Sequence, residues 1–433
     1  MPTILIPHDT ATGYVSAKSG IKSLGLASGL AGAAAASRYA GATASGAPAS
    51  GAFLLGDWTI DQTGAIHVCS VAGTVGSGAV FTRVGGVAVT AVTFAESTAS
   101  PNATVYVDSI TAAGSTTNVD LALRPKGTGA LTAHVANGTA TGGDKRGANA
   151  TDWQTSRGAA EQVASGAESV IGGGSSNKVQ TYGSTVAGGS SNVAATGTMI
   201  AIGGGQSNTV TATYGAVAGG YGNTMSSGYG FAAGNANAVS NNYSTAIGDQ
   251  NTASGYTALA LGGMNTVSGD YASVPGGYQA LAATHGKLAF SGGKFTANGD
   301  SQYGLTVLRG TTTLAGTARL TADGAAAGAA NIVNLANNRA FLMKISLVAT
   351  DTTVPHTKGL IAEYSVLVRR GGAAANTVVA DQMQVVYLAD ASILDAVITL
   401  SADTDYGGIN LTVTGSASTD LRWVATVQSA EAG

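Results

Sequence analysis

The sequence predicts an all-β fold organised around a 14–16-residue repeat, and three observations support this prediction. A Gly-x-x-Asn or Gly-x-x-Gln motif occurs eight times in residues 170–281, at intervals of 15, 16, 15, 14, 14, 14 and 14 residues. These intervals are too short for a helix-pair repeat and indicate one coil of chain per copy. The copies are rich in Gly, Ser, Thr and Asn, which disfavour helix interiors. Short β-rich runs between turn residues flank the repeats.

Four columns of equivalent residues run through the copies, one of amides, two of apolar residues and one of tyrosines. We predict a structural ladder of amide residues with an apolar residue two positions after each. The amides are Asn177, Asn192, Asn208, Asn223, Asn237, Asn251, Asn265 and Gln279, and the apolar residues are Val179, Ala194, Val210, Met225, Val239, Ala253, Val267 and Leu281. A second apolar position lies six residues before the Asn from Ile171 to Phe231 and shifts to four before it in Ile247 and Leu261. The fourth column contains Tyr182, Tyr214, Tyr229, Tyr243, Tyr256 and Tyr271.

The small size of the apolar residues predicts the oligomeric state. A single coil contributes mainly Val, Ala and Met to its interior, so we expect its columns to be covered by other chains. A rod with one repeated face is most simply covered in a closed cyclic oligomer. We therefore predict a homotrimer with a β-roll (β-solenoid) shaft.

The repeats resemble the heads of trimeric autotransporter adhesins, which form a trimeric left-handed β-roll, and equally the shafts of bacteriophage tail fibres. Residues 120–131, 143–157 and 421–431 resemble segments of phage tail fibre and virion spike proteins. The resemblance implies a virion fibre whose C-terminal tip contacts the host. The first residues lack the pattern of a secretory signal, and no membrane barrel is expected at the C-terminus, which disfavours a bacterial adhesin.

Four domains are predicted in order along the chain. Residues 1–52 form an Ala/Gly-rich virion attachment segment with a helix over 21–40. Residues 53–157 form a β-rich neck, 158–298 the repeat shaft and 299–433 a C-terminal β-sandwich tip. The predicted strands are 58–60, 66–71, 80–84, 87–94, 104–110, 119–123, 288–295, 303–308, 340–349, 360–370, 377–388, 394–400, 409–414 and 421–427, with a hairpin over 55–68.

Composition excludes several classes of protein. The formal net charge is −3 and charged residues make up 10%, so there is no basic surface for nucleic acid. Cys69 is the only cysteine, which excludes an intrachain disulfide. The sequence contains no run of 18 apolar residues, so no membrane-spanning helix is predicted.

No catalytic, cofactor-binding or metal site is predicted. The five histidines are far apart and lack ligand spacing. The shaft acids Glu161, Glu168, Asp249 and Asp270 form no evident cleft, so we expect no enzymatic activity. The tyrosine column could bind sugar faces, but its regularity favours packing and hydroxyl hydrogen bonds between layers or chains.

The predicted function is that of a trimeric phage tail fibre, located in the virion, which recognises the host-cell surface. Its expected partners are two further copies, other virion proteins through the N-terminal region, and a host glycan or protein. Receptor contact is predicted in the loops 350–358, 371–376 and 402–408, at Thr352, His356 and Tyr406. The alternatives are a capsid-attached fibre or spike of the same fold, a bacterial trimeric adhesin, and a tailspike depolymerase.

Overall fold

The computed structural model describes residues 39–43, 46–62, 64–75, 79–84, 92–97, 107–112 and 122–433. The chain divides into two compact units, Met1–Leu123 and Arg124–Gly433. Among the described residues the only helices are the 3-10 turns Ala374–Asn376 and Ala391–Ile393, so the all-β prediction is confirmed.

The described part of the first unit contains eight strands. They are β1 Tyr39–Thr43, β2 Ala52–Phe53, β3 Trp58–Asp61, β4 Ile66–Val71, β5 Gly73–Thr74, β6 Val80–Val84, β7 Val92–Ser97 and β8 Val107–Ala112. Strands β3 and β4 pair antiparallel, which confirms the predicted hairpin. The helix predicted over 21–40 is wrong at its end, because Tyr39 and Ala40 belong to β1, and residues 21–38 lie outside the described residues. The predicted strand 119–123 is absent at residues 122 and 123, its described part.

Residues 131–290 form a β-solenoid with two parallel sheets, one strand of each per repeat coil. The first sheet contains β9 Leu131–Thr132, β10 Thr151–Asp152, β11 Val170–Ile171, β13 Thr185–Val186, β15 Ala201–Ile202, β17 Ala216–Tyr221, β19 Phe231–Asn235, β21 Thr245–Asp249, β23 Leu259–Gly263, β25 Ser273–Val274 and β27 Leu288–Phe290. The second contains β12 Lys178–Val179, β14 Val193–Ala194, β16 Thr209–Val210, β18 Thr224–Met225, β20 Ala238–Val239, β22 Thr252–Ala253, β24 Thr266–Val267 and β26 Leu281–Ala282.

The solenoid buries its own columns. Val179, Val210, Val239 and Val267 from the second sheet pack in one core with a column from the first sheet, and all four are at most 1% exposed in a single chain. The expectation that these columns need cover from other chains is therefore wrong. Two facing strands of small residues close the interior, because a thin coil needs only small side chains to fill it.

The first-sheet column differs from the predicted one in the later coils. Its buried residues are Ile171, Val186, Ile202, Val217, Ala232, Ala246, Ala260, Val274 and Ala289. Phe231 and Ile247 instead lie on the outside, at 36% and 38% exposure. The sequence-based assignment followed the larger apolar residue, whereas the alternation of the strand places its alanine neighbour inside.

The C-terminal part contains longer, antiparallel strands. They are β28 Ser301–Thr312, β29 Thr317–Arg319, β30 Arg339–Asp351, β31 Gly359–Arg370, β32 Thr377–Ala389, β33 Val397–Asp403, β34 Gly408–Thr414 and β35 Leu421–Ala432. Strand β28 pairs with β27, so the first solenoid sheet continues as β28-β35-β30-β31-β32 in one 16-stranded sheet. A second sheet, β29-β34-β33, contributes to the same core, which contains Trp423, Met343 and Leu411.

Candidate functional site

The asparagine column is a buried hydrogen-bonded ladder. Asn177, Asn192, Asn208, Asn223, Asn237, Asn251 and Asn265 are all fully buried. In a representative rung, Asn223 Nδ2 donates to Asn208 Oδ1 at 2.9 Å and to the Gly234 carbonyl at 2.7 Å. Its Oδ1 accepts from both the backbone N–H and the Nδ2 of Asn237, at 3.1 and 2.9 Å. Each amide thus satisfies buried backbone groups in its own and neighbouring coils, which is a structural role.

Two residues that end the ladder were not predicted. Gln154 is fully buried in the coil before Asn177, and its Oε1 accepts from the Asn177 N–H at 2.6 Å. At the other end, the N–H of Ala280 donates to Asn265 Oδ1 at 2.8 Å. Ala280 therefore occupies the rung assigned to Gln279, and Ala282, not Leu281, enters the core. The 15-residue spacing of this last coil hid the correct register.

The glycine of the motif is required by close stacking. At Gly220, φ is +109°, and a Cβ there would collide with the carbonyl oxygen of Gly234 in the next coil. A left-handed φ and this contact both exclude larger residues.

A continuous row of aromatic rings follows the turns between the two sheets. We call Tyr214, Tyr229, Tyr243, Tyr256, Tyr271 and His285 the aromatic row. Successive ring centroids are 5.0, 4.9, 5.5, 5.5 and 5.2 Å apart. Tyr214, Tyr229, Tyr243 and Tyr271 are 49–56% exposed. The contacts between rings, stacked from Tyr214 to Tyr243 and edge-on at Tyr256, therefore leave about half of each of these four side chains accessible to a ligand.

Four tyrosines of the aromatic row have backbone conformations that favour glycine. The φ angles of Tyr214, Tyr229, Tyr243 and Tyr271 lie between +56° and +60°. A left-handed φ costs a bulky residue roughly 1–2 kcal/mol relative to the usual conformation. Gly183 and Gly286 have the equivalent turn position in other coils, with φ of +62° and +63°. The equivalent turns thus accept glycine, and they also accept Met199 and Thr257, both at φ of +55°.

Tyr182 belongs to the predicted column but lies outside the aromatic row. The pKa of the Tyr182 hydroxyl is raised mainly by a hydrogen bond with the Glu168 carboxylate. The negative charge of that carboxylate raises it further.

A cavity of about 460 Å³ adjoins the end of the aromatic row. His285, Asp270, Asp323 and Asn331 contribute to its lining. Asn331 Nδ2 donates to Asp323 Oδ1 at 2.8 Å, and the Ala325 N–H donates to the same oxygen at 2.9 Å. Burial alone would raise the pKa of Asp323, but these hydrogen bonds and the nearby His285 hold it below its ordinary value. Asp323 is thus an ionised carboxylate at neutral pH.

The structure separates the three residues predicted for receptor contact. Thr352 and His356 lie in the loop between β30 and β31, at the strand ends that also contain Thr312 and Leu421. Tyr406 lies near Arg370, at the opposite end of the 12-residue strand β31. At about 3.4 Å per residue, this strand separates them by roughly 40 Å. They therefore do not form one site.

Hydrogen bonds hold the loop of His356 in place. His356 Nδ1 lies 2.8 Å from the carbonyl oxygen of Asp351, and the Thr352 N–H donates to the Asp420 carbonyl at 3.1 Å. Lys358 Nζ donates to Thr419 Oγ1 at 3.0 Å, which connects this loop to the one before β35. Burial would raise the pKa of Asp351, but N–H groups of Lys358 and Thr357 lower it. The loop is an ordered surface with an exposed imidazole.

Tyr406 lies in a turn that is stabilised by hydrogen bonds to the Asp403 carboxylate. The N–H groups of Asp405 and Tyr406 each donate to Asp403 Oδ1 at 2.9 Å, and Arg319 pairs with the other oxygen.

Among the described residues, no group of three or more His, Cys, Asp or Glu is arranged to hold a metal ion. No helix in the described residues has the length and apolar character needed to cross a membrane.

No known protein-family model matches this chain, and no curated protein matches it. Among solved structures, it is similar to the tailspike protein of Acinetobacter phage vB_ApiP_P1, with 9% identity over 65% of this chain and 59% of that chain, at a TM-score of 0.21. It is also similar to tailspike protein gp49 of Acinetobacter baumannii bacteriophage Fri1, with 6% identity over 78% of this chain and 74% of that chain, at a TM-score of 0.18. The Acinetobacter baumannii phage AM24 tailspike shares 12% identity over 60% of this chain and 53% of that chain, at a TM-score of 0.17. The chain spans 59% of the first tailspike's length.

The description of one of these proteins contradicts the prediction of no enzymatic activity. The Fri1 tailspike is described as a capsular polysaccharide depolymerase. The sequence-based argument considered only acids on the repeats, whereas Asp323, from a segment after the solenoid, lines the same cavity as Asp270. The absence of a cleft among the repeat carboxylates therefore does not exclude catalysis.

Proposed function

We propose that this chain is a phage virion tail protein that recognises the surface of the host cell. The single observation that carries the proposal is the 16-stranded sheet, which joins the coil stack to the long strands of the C-terminal part without interruption. Such a sheet connects the coils continuously to the C-terminal strands and their loops, as attachment at a distance requires. The N-terminal region is proposed to bind the virion, and the C-terminal part to form a β-sandwich tip.

Cell binding tests this proposal directly. The labelled full chain should bind a subset of bacterial strains that differ in capsule and O-antigen, and should block adsorption of phages that infect those strains. Replacing His356 and Thr352 by alanine should weaken binding if the loop between β30 and β31 makes the contact. Alanine at Tyr406, at the opposite end of β31, provides the matched comparison. Binding to no strain would contradict the proposal.

The proposed assembly is a homotrimer with β-roll shafts like those of autotransporter heads, covered along the outward face of the first solenoid sheet. The residues next to each buried residue of that sheet include no charged side chain and several apolar ones: Val170, Ala187, Ala201, Ala218, Phe231, Ala233, Ile247, Leu259, Leu261, Leu288 and Phe290. The second sheet presents mainly hydroxyl residues, such as Thr252 and Ser254, beside its buried column. An apolar face of this length favours contact with further copies.

Solution mass tests the trimer. Light scattering should give three times the 42.1 kDa of one chain. Ile247→Asp should reduce the mass to that of one chain, since a charge would be buried in the interface. Thr252→Asp, in the second sheet, should leave the mass unchanged. A wild-type monomer would exclude the trimer and leave host recognition to be judged by cell binding.

Polysaccharide hydrolysis is a second candidate function, favoured by the two carboxylates that line the cavity, Asp270 and Asp323. One carboxyl group would protonate the glycosidic oxygen while the other activates a water, which adds to the anomeric carbon as the C–O bond breaks. The low pKa of Asp323 suits the base or nucleophile.

Release of reducing ends from host polysaccharide tests this candidate. Asp323→Asn and Asp270→Asn should each abolish release, whereas Glu161→Gln, at an exposed site on the shaft, should not. No release by the wild-type protein from the polysaccharide of a bound strain would argue against hydrolysis.

A further inference from the structure

We infer that the aromatic row is a binding track for an extended, uncharged polysaccharide. This inference rests on the proposed function and deepens it, because it names a ligand class and a second contact surface on the shaft. Three observations carry it: the backbone conformation of the tyrosines, the charges around them, and the cavity where the row ends.

The first observation is that four tyrosines of the row are exposed at turn positions whose backbone conformation favours glycine. Four of the tyrosines have a left-handed φ that glycine adopts without strain, and Gly183 and Gly286 do so in equivalent turns. Ring stacking recovers part of this strain, but the core is complete without these rings, which remain about half exposed. A tyrosine offers apolar ring atoms with a hydroxyl that both donates and accepts, which matches the alternating C–H and O–H groups of a sugar.

The charges around the row select a neutral ligand. Between residues 180 and 284 the only charged side chains are Asp249 and Asp270, both negative. A polyanionic glycan would meet no Lys or Arg from these coils, and it would be repelled by Asp270, whose Oδ1 accepts from the Tyr256 N–H at 2.8 Å.

The geometry of the row selects a polymer. Tyrosine rings recur every 4.9–5.5 Å over five residues, stacked from Tyr214 to Tyr243 and edge-on at Tyr256, so a ligand with a regular repeat would meet several rings in succession. The row then reaches His285, whose ring lies 5.2 Å from Tyr271 and which also lines the 460 Å³ cavity. The cavity supplies polar groups, from Asn331 and Asp323, where a chain end or branch would be held. Summed weak contacts of this kind give useful affinity.

Affinity electrophoresis of the full chain tests the inference. The gels contain dextran, galactomannan, the surface polysaccharide of a strain that the protein binds, or alginate as the anionic comparison. We expect at least one uncharged polymer to retard the protein and alginate not to. The pair Tyr229→Gly and Tyr243→Gly, chosen because glycine suits their φ, should weaken this binding by at least about tenfold, which corresponds to about 1.4 kcal/mol.

Two further variants complete the test. Tyr221→Ala with Tyr278→Ala, which removes exposed tyrosines outside the row, should bind like wild type. Tyr229→Phe with Tyr243→Phe keeps the stacking and should weaken binding at least twofold, which preserves a readout if the glycine pair unfolds. Retardation by no uncharged polymer, by alginate alone, or equally for the wild type and both row variants would overturn the inference. Cell binding that depends on His356 but not on the row would refute the track and leave the proposed function standing.

Discussion

The solenoid and the C-terminal part share one continuous sheet, yet they are stabilised by different interactions. Most solenoid strands are two residues long, and the core between them is mainly Ala and Val. The C-terminal strands reach 13 residues and bury Trp423, Met343 and several Leu and Ile residues. The coils compensate for their small core with the buried amide ladder. A regular sheet can thus be held by buried polar groups in one region and by apolar packing in the next.

The largest effect is expected in the apolar region. Trp423→Ala should lower the free energy of unfolding by about 3–5 kcal/mol, because it leaves a large cavity and removes the donor to Thr312 Oγ1, now at 3.0 Å. Chemical denaturation followed by circular dichroism measures this loss. Val424→Ala, at an exposed neighbouring position, should cost far less. Equal losses for the two variants would contradict the comparison.

A smaller loss is expected when the ladder is interrupted. Asn223→Ala leaves the carbonyl of Gly234 and the N–H of Asn237 without their partners, so about 2–4 kcal/mol should be lost. Hydrogen exchange should localise the loss to the coils on either side of residue 223. Asn242→Ala is the matched control, because its exposed side chain bonds to only one described backbone group, the N–H of Gly228. An unchanged free energy of unfolding for Asn223→Ala would show that the apolar columns alone stabilise the coils.

The turns of the solenoid provide a third, finer test. At Tyr229, with φ of +58°, glycine should be more stable than alanine by about 1 kcal/mol, although both lose the ring. Thermal unfolding of the two variants measures the difference. At Val424, in extended backbone, the order should reverse, since glycine weakens a strand interior.

The smallest effect concerns the acid sensitivity of stability at Asp300, which lies between the last solenoid strand, β27, and the first long C-terminal strand, β28. Burial of Asp300 would raise its pKa, but N–H groups of Ala297, Thr296 and Phe295 hold the pKa well below 3.8. A lowered folded-state pKa stabilises the protein above the ordinary carboxyl range, and this contribution is lost as pH falls through the acid range below 3.8. Asp300→Asn should therefore differ most from wild type at neutral pH and least in strong acid. A constant difference between pH 2 and 7 would contradict this assignment.

The sequence predicted the all-β class, the repeat and most strands, because period and residue type determine which side chains can lie inside a coil. It did not predict that one coil closes its own core, since this depends on the distance between two facing strands. The register of the last coil was wrong for a related reason. Ala280 replaces an amide there, and the Gly-x-x-Gln motif matches Gln279 one residue away.

The candidate site was less predictable. The tyrosine column was visible as a spacing, but its left-handed backbone was not, because equivalent turns contain Gly, Met or Thr as well as Tyr. Asp323 and Asp270 are distant in sequence, and only the return of the chain past His285 brings them to one cavity. Thr352 and Tyr406 were grouped as loop residues, whereas the length of β31 places them far apart.

The ends of the amide ladder also bear on how long the shaft can be. Each Asn contacts only the coils next to it, while Gln154 begins the series and Ala280 terminates it. Whole coils between these two residues are therefore interchangeable units, as in other solenoids. Excision of residues 238–251 would rejoin Asn237 to Thr252 in the native order and shorten the rod by about 4.8 Å. The reach of the protein can thus change in fixed steps by duplication or loss of single coils, without redesign of either end.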